Sequence, residues 1–230
     1  AFAPITVTGL TSGSSTTDAT SYTTASVTPT ANTLQVLCVV WSRIPVSTNP
    51  TVSGAGLTWV SINFQGFDVG NHRTEIFRAL GASPSAGALT IDFAGETQTG
   101  AAWSLAEFGG ADTSGTNGSG AIVQFNSGSN VLVNGDSLNL AAFGSVDNAG
   151  YGCIGVTAQE NVSATTGETE IHDVGYATPA TELQSEWVLN DTNIGWSWTT
   201  LANDGGNVAE IRAATGAGVA GFLPLMGVGN

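Results

Sequence analysis

The sequence contains no lysine, and its basic side chains are four arginines, Arg43, Arg73, Arg78 and Arg212. Against them stand 18 acids, a net charge of −14. A nucleic-acid backbone is bound by Lys and Arg that displace counterions from phosphates, so neither DNA nor RNA is an expected partner. The same negative field repels anionic membrane surfaces. Without lysine, a Gly-rich phosphate loop ending in Lys cannot be written. No stretch approaches the ~20 apolar residues of a membrane-spanning helix, so no membrane span is expected. The sequence also lacks G-x-S-x-G, H-E-x-x-H and C-x-x-C. Its two histidines, His72 and His172, and two cysteines, Cys38 and Cys153, form no local ligand pair. Each cysteine lies in an apolar run, "LQVLCVVW" and "YGCIGV", and reads as a small buried hydrophobe. A disulfide would need neighbouring strands, which spacing does not reveal. No secretory signal is visible, and the opening "AFAPITV" reads as the product of initiator-Met removal.

Charged residues make up 10% of the chain, against about 25% in an average domain. Polarity comes instead from Ser, Thr, Asn and 31 glycines, a mix suited to short strands and many turns. Apolar residues alternate with polar ones along segments such as 34–43, 57–66, 73–80, 101–109, 151–158, 182–190, 194–201 and 207–214. This period of two predicts strands. "SGAG", "VNGD", "VDNAG" and "NDGG" supply turns between them, and no amphipathic helix is expected. About fourteen short strands at regular spacing predict an all-β protein, an antiparallel β-sandwich of jelly-roll-like type. No internal repeat or linker is visible. The division expected is a β-sandwich domain over 1–214 and an apolar, Gly-rich C-terminal arm over 215–230.

Chemistry-bearing residues are few. His72 in "DVGNHRTE" and His172 in "TEIHDVG" read as solvated loop or strand-edge side chains. A glycosidase would need two carboxylates flanking a groove. Glu75, Glu107, Glu182 and Glu186 alternate with apolar neighbours, as solvent-facing strand residues do. Trp196 and Trp198 are two apart and face one side of their strand, which suits a core or, with Trp187, a platform for stacking on sugars. Oxygen donors cluster in "NDGGN" (203–207), "VDNAG" (146–150) and "FDVGNH" (67–72). None fits the twelve-residue EF-hand loop, and turn chemistry accounts for all three. No catalytic residue, metal or cofactor is expected.

The order of "NPTVSGAGLTWV" (49–60), "HRTEIFRALGASPSAGALTIDFAG" (72–95), "AAWSLAEFGGADTSG" (101–115), "VNGDSLNLAAFGS" (133–145), "IGWSWTT" (194–200) and "NVAEIRAA" (207–214) resembles a β-sandwich domain. That domain is found in phage virion and tail-associated proteins and in some bacterial surface proteins. The resemblance covers residues 22–214 and is a pattern of strands and corners rather than of catalytic groups. It implies a structural or adhesive role outside the cell, on a virion.

The closing segment "GAGVAGFLPLMGVGN" (216–230) has no charged side chain. Phe222, Leu223, Leu225 and Met226 are its candidate anchors, for docking on a neighbouring copy or another virion protein. The expectation is therefore a non-enzymatic structural protein at the surface of a phage particle, as head decoration or as a tail or fibre component. The alternatives are a module binding a host-surface glycan through Trp187, Trp196 or Trp198, and a polysaccharide-degrading enzyme with a Glu pair.

Overall fold

Every residue of the segment LQVLCVVWS, strand β3 (Leu34–Ser42), is buried. A strand covered on one face alternates in and out, whereas one covered on both reads as a continuous apolar run. Here Val36, Cys38 and Val40 enter one hydrophobic cluster, while Leu37, Val39 and Trp41 enter another. The computed structural model, which describes residues 4–43 and 48–215, shows how both faces are covered.

The chain forms an all-β, antiparallel stack of sheets. One central sheet has the order β1 (Thr6–Ser15), β9 (Gly100–Gly109), β3, β7 (His72–Ala79), β6 (Val60–Phe67). The other has the order β10 (Ile122–Gly128), β17 (Asp204–Ile211), β12 (Ala149–Val156), β15 (Ala180–Leu189), β14 (Thr169–Ala177). The first cluster, with Val36 and Val40 from one side and Tyr151, Ala209 and Ile211 from the other, joins these two sheets. An outer sheet of β2 (Ser21–Thr23), β8 (Leu89–Asp92), β4 (Thr51–Gly54) and β5 (Leu57–Thr58) covers the first central sheet. Between them Leu89, Ile91 and Phe93 meet Trp41 and Trp103. A second outer sheet of β11 (Val133–Asn139), β16 (Asn193–Ala202) and β13 (Ser163–Ala164) covers the other. There Ile194, Trp196 and Trp198 meet Ile154, Val156 and Val208. Among the described residues helix is confined to two single 3-10 turns, Asp68–Gly70 and Ser119–Ala121.

The two halves follow one plan. The order β1-β9-β3-β7-β6 is matched by β10-β17-β12-β15-β14, and β2-β8-β4 by β11-β16-β13; β5 alone has no counterpart. The registers agree as well. Cys38 lies opposite Ser104 and Ile76, and Cys153 opposite Asn207 and Ser185. Counted from each cysteine, Glu107 and Glu210 then occupy equivalent places, within LAEF (105–108) and VAEI (208–211). Contacts between the halves are reciprocal, with β1 against β14 and β10 against β6. Where the halves' last strands run out, Ala111 and Ala213 form a bridge, closed by Asp112 N–H to Arg212 O (2.9 Å) and Ala214 N–H to Gly110 O (2.8 Å). The chain thus contains a structural repeat that the sequence does not announce.

The structure decides the cysteine pairing that spacing left open. Cys38 and Cys153 are buried as predicted, but they form a disulfide with a Cα–Cα separation of 6.6 Å. Each is the fifth residue of the middle strand of its central sheet. Stacking the halves face to face brings them within bridging range.

Candidate functional site

Covering the central sheets on both sides puts polar side chains indoors, and buried polar groups need partners. The first such group grows from the turn at 68–71, which delivers His72 to the start of β7. The His72 ring is buried, contrary to the expectation of a solvated loop histidine, because the turn folds it against the second half. Its Nδ1 lies 3.1 Å from Asp68 Oδ2 and its Nε2 3.2 Å from Thr181 Oγ1 on β15. Burial lowers the ring's pKa, and the Asp68 carboxylate opposes that shift. With neutral imidazole, Nδ1–H donates to Asp68 and the Thr181 hydroxyl donates either to Nε2 or to Pro179 O, 3.0 Å away. An acid, a histidine and a hydroxyl in line are the parts of a nucleophilic relay. Thr181 is wholly buried, however, so no substrate carbonyl reaches its oxygen. Beside it lies a cleft of about 330 Å³ lined in part by Asp18, Arg43, Asp68, His72 and Pro179.

A second polar chain crosses the middle interface. Ser104 Oγ lies 2.9 Å from His172 Nδ1 and 2.7 Å from Ser185 Oγ. His172 is half-buried, which lowers its pKa. On the other side of the disulfide, Thr74 Oγ1–H donates to Gly205 O (2.5 Å), and Asn207 Nδ2–H to Thr74 O (3.2 Å). These bonds join the two halves, and their geometry is structural.

The carboxylates correct the expectation that strand acids face solvent. Glu186 is 0% exposed, and Glu75 and Glu182 are also buried. They alternate with apolar neighbours as expected, but an outer sheet or loop lies over them. Burial pushes Glu186 up to about 9 and Glu75 up to about 7, while Ser61 Oγ–H to Glu75 Oε1 (2.5 Å) works the other way. Asp173 and Glu182 lie together; burial raises both, and the charge of Asp173 raises Glu182 further. The loop above supplies Val162 N–H to Asp173 Oδ2 at 3.1 Å. Asp204, opposite Val156 in the ladder, is pushed up to about 7 by burial and then by the charge of Asp136. Glu107 accepts from Thr30 and Gln35, and its counterpart Glu210 from Gln124 and Asn148. Each anchors the connection entering its half's middle strand.

Two of the three candidate stacking tryptophans lie in the core. Trp196 is 1% exposed and donates Nε1–H to Gln184 Oε1 (2.7 Å), while Trp198 is buried and donates to Val133 O (3.0 Å). Both lie between sheets, where no ring face is open. Trp187 is partly buried against the first cluster. Phe222, Leu223, Leu225 and Met226 lie outside the described residues. Two of the oxygen-donor clusters do meet. Asn203 Nδ2–H donates to Asp68 Oδ1 (2.8 Å), and Asn203 Oδ1 accepts from Leu132 N–H (3.1 Å). This pins together loop tips on which Val69, Leu132 and, nearby, Leu201 are exposed apolar residues. Val69 and Leu132 both hold positive φ, 49° and 52°, a conformation unusual for branched side chains. Composition carries no signal for this patch, because its members come from the 68–70 turn, the connection between β10 and β11 and the end of β16. Among the described residues no group of three or more His, Cys, Asp or Glu is arranged to hold a metal ion.

Set against known proteins, the chain matches no family model, no curated protein and no solved structure.

Proposed function

We propose that the chain is a non-enzymatic structural protein of a phage virion, displayed on the particle surface as head decoration or as part of a tail or fibre. Its partners on this reading are its own copies and other virion proteins. The observation that carries it is strand order. In an eight-strand jelly roll the first, last, third and sixth strands form one sheet, and the second, seventh, fourth and fifth the other. With β6 counted as an added edge strand, the first half runs β1-β9-β3-β7 over β2-β8-β4-β5. The second half runs β10-β17-β12-β15 over β11-β16-β13. Jelly rolls recur in viral capsid and lectin domains, so the argument from order to role is an analogy of fold. Three further features support it. Both histidines and the serine and threonine hydroxyls at the middle interface are engaged in bonds that join the halves. A disulfide suits a protein that works outside a reducing cytosol. The pinned tips with Val69, Leu132 and Leu201 offer apolar contact points to a neighbour.

Assembly tests the reading. The full chain and a chain lacking 216–230 are compared by light scattering and thermal melting. The full chain should form defined oligomers, and the shortened one should remain folded with the same melting temperature but stay monomeric. A full chain that is monomeric at every concentration would refute the proposal. So would turnover of a polysaccharide that is lost on Glu182→Gln in a folded protein.

A further inference from the structure

Between Arg78 and Arg212 the chain carries no lysine or arginine, yet the second half buries paired carboxylates. One pair is left electrically incomplete. Asp204 opens β17 and is 0% exposed; Asp136 lies on β11 of the covering sheet, opposite Trp196. Their carboxyl groups are within hydrogen-bonding reach of each other and of the Asn130 side chain. Each has one oxygen satisfied by a backbone donor: Asp136 Oδ1 by Ser137 N–H (2.7 Å) and Asp204 Oδ1 by Asn130 N–H (3.1 Å). The other oxygen of each, Asp136 Oδ2 and Asp204 Oδ2, is buried without a hydrogen-bond partner. The segment carrying Asn130 is fastened over the pair by Asp204 N–H to Asn130 O (3.1 Å).

Two buried carboxylate oxygens beside each other, with the Asn130 side chain as the nearest polar group, are costly to leave charged. A divalent cation between them removes that cost. The donors are oxygens, they come from an irregular loop, the middle of β11 and the start of β17, and histidine and cysteine ligands are absent. That is the chemistry of calcium, which accepts variable coordination by carboxylates, amide and backbone oxygens and water, rather than of zinc or of strictly octahedral magnesium. We propose that Asp136, Asp204 and the Asn130 side chain form a calcium site that fastens the β10–β11 connection and the outer sheet to the second central sheet. The inference is independent of the virion reading. It makes calcium a clamp on the loop that presents Leu132.

The full chain, stripped with a chelator, is titrated with calcium and, separately, with terbium. Trp196, cross-strand from Asp136, should sensitise terbium emission, saturating at one ion per chain and reversing on addition of calcium. Calcium at about a hundredfold excess over Kd should raise the melting temperature by about 5–10 °C. Asp204→Asn and Asp136→Asn should each abolish the calcium-dependent rise. The alternative is a pair that shares a proton. Then calcium leaves wild-type melting unchanged and Asp204→Asn stabilises the fold with or without calcium, which overturns the proposal. A calcium shift that survives both substitutions overturns it as well, since the ion is then elsewhere. If neither variant folds, the terbium stoichiometry and its displacement by calcium decide.

Discussion

Replacing Cys38 and Cys153 together by alanine removes a cross-link between residues 115 positions apart, and its effect can be worked out in advance. In the chain-entropy account, closing a loop of that length restricts the unfolded state by about 4–5 kcal/mol. The bond also ties the middle strands of the two central sheets, inside the first cluster. Alanine keeps the small apolar character of each site, so the native packing loses little besides the two sulfurs. For a chain of this size each kcal/mol moves the melting temperature by about 2–4 °C, which predicts a fall of about 8–20 °C. The assay is calorimetric melting of oxidised wild type, reduced wild type and the double variant, with the redox state fixed by non-reducing mass spectrometry. The reduced protein and the variant should fall together. A fall below about 3 °C would refute the reasoning. It would mean that the apolar face between the halves holds them in register even in the denatured ensemble, leaving the cross-link nothing to restrict.

Two further outcomes follow from burial. Glu75, Glu186 and Asp204 are raised to about 7, 9 and 7, all above the ordinary unfolded values near 4. The folded state therefore binds more protons than the unfolded one. The stability these groups contribute is complete below about pH 4 and is lost as pH rises through about 7 to 9. In chelator, melting should be higher at about pH 5 than at about pH 8.5, and Glu186→Gln should flatten the alkaline limb; a melting temperature level across that range would refute the burial argument. Gly152→Ala should destabilise by about 1–3 kcal/mol in urea unfolding, because its Cβ would meet Ile194 Cγ2 at 2.5 Å and Trp196 Cζ2 at 2.7 Å. A neutral result would mean that the second outer sheet packs less closely on β12 than described.

Strand positions are legible in this sequence because turn residues bound them. The period-two pattern predicts 34–43 and 101–109, and the strands run Leu34–Ser42 and Gly100–Gly109. What the pattern cannot convey is the number of layers. Alternation of apolar and acidic residues marks a strand with one wet face, yet on β15 the acidic face is roofed and Glu186 is dry. The same ambiguity covers Trp196 and Trp198, where the shared face is correctly read but only the overlying sheet decides between core and platform. The repeat is hidden by divergence at equivalent positions: Trp103 answers to Gly206 and Arg78 to Trp187. Only LAEF and VAEI, with one cysteine in each middle strand, keep a trace of it. The Asp136–Asp204 pair joins residues 68 apart in sequence, so no local spacing points to it.

The duplicated plan has a consequence for how such a molecule is used. A homodimer with a two-fold axis must show the same chemistry on both sides, since one gene writes both. Here the equivalent of that dimer is a single polypeptide, and each side mutates alone. The sides have already separated: residues 122–211 contain 11 acids and no lysine or arginine, whereas residues 6–109 contain 6 acids and three arginines. The two halves thus share one strand plan and differ in charge, so under the proposed structural role a single chain presents two chemically different sides to its neighbours.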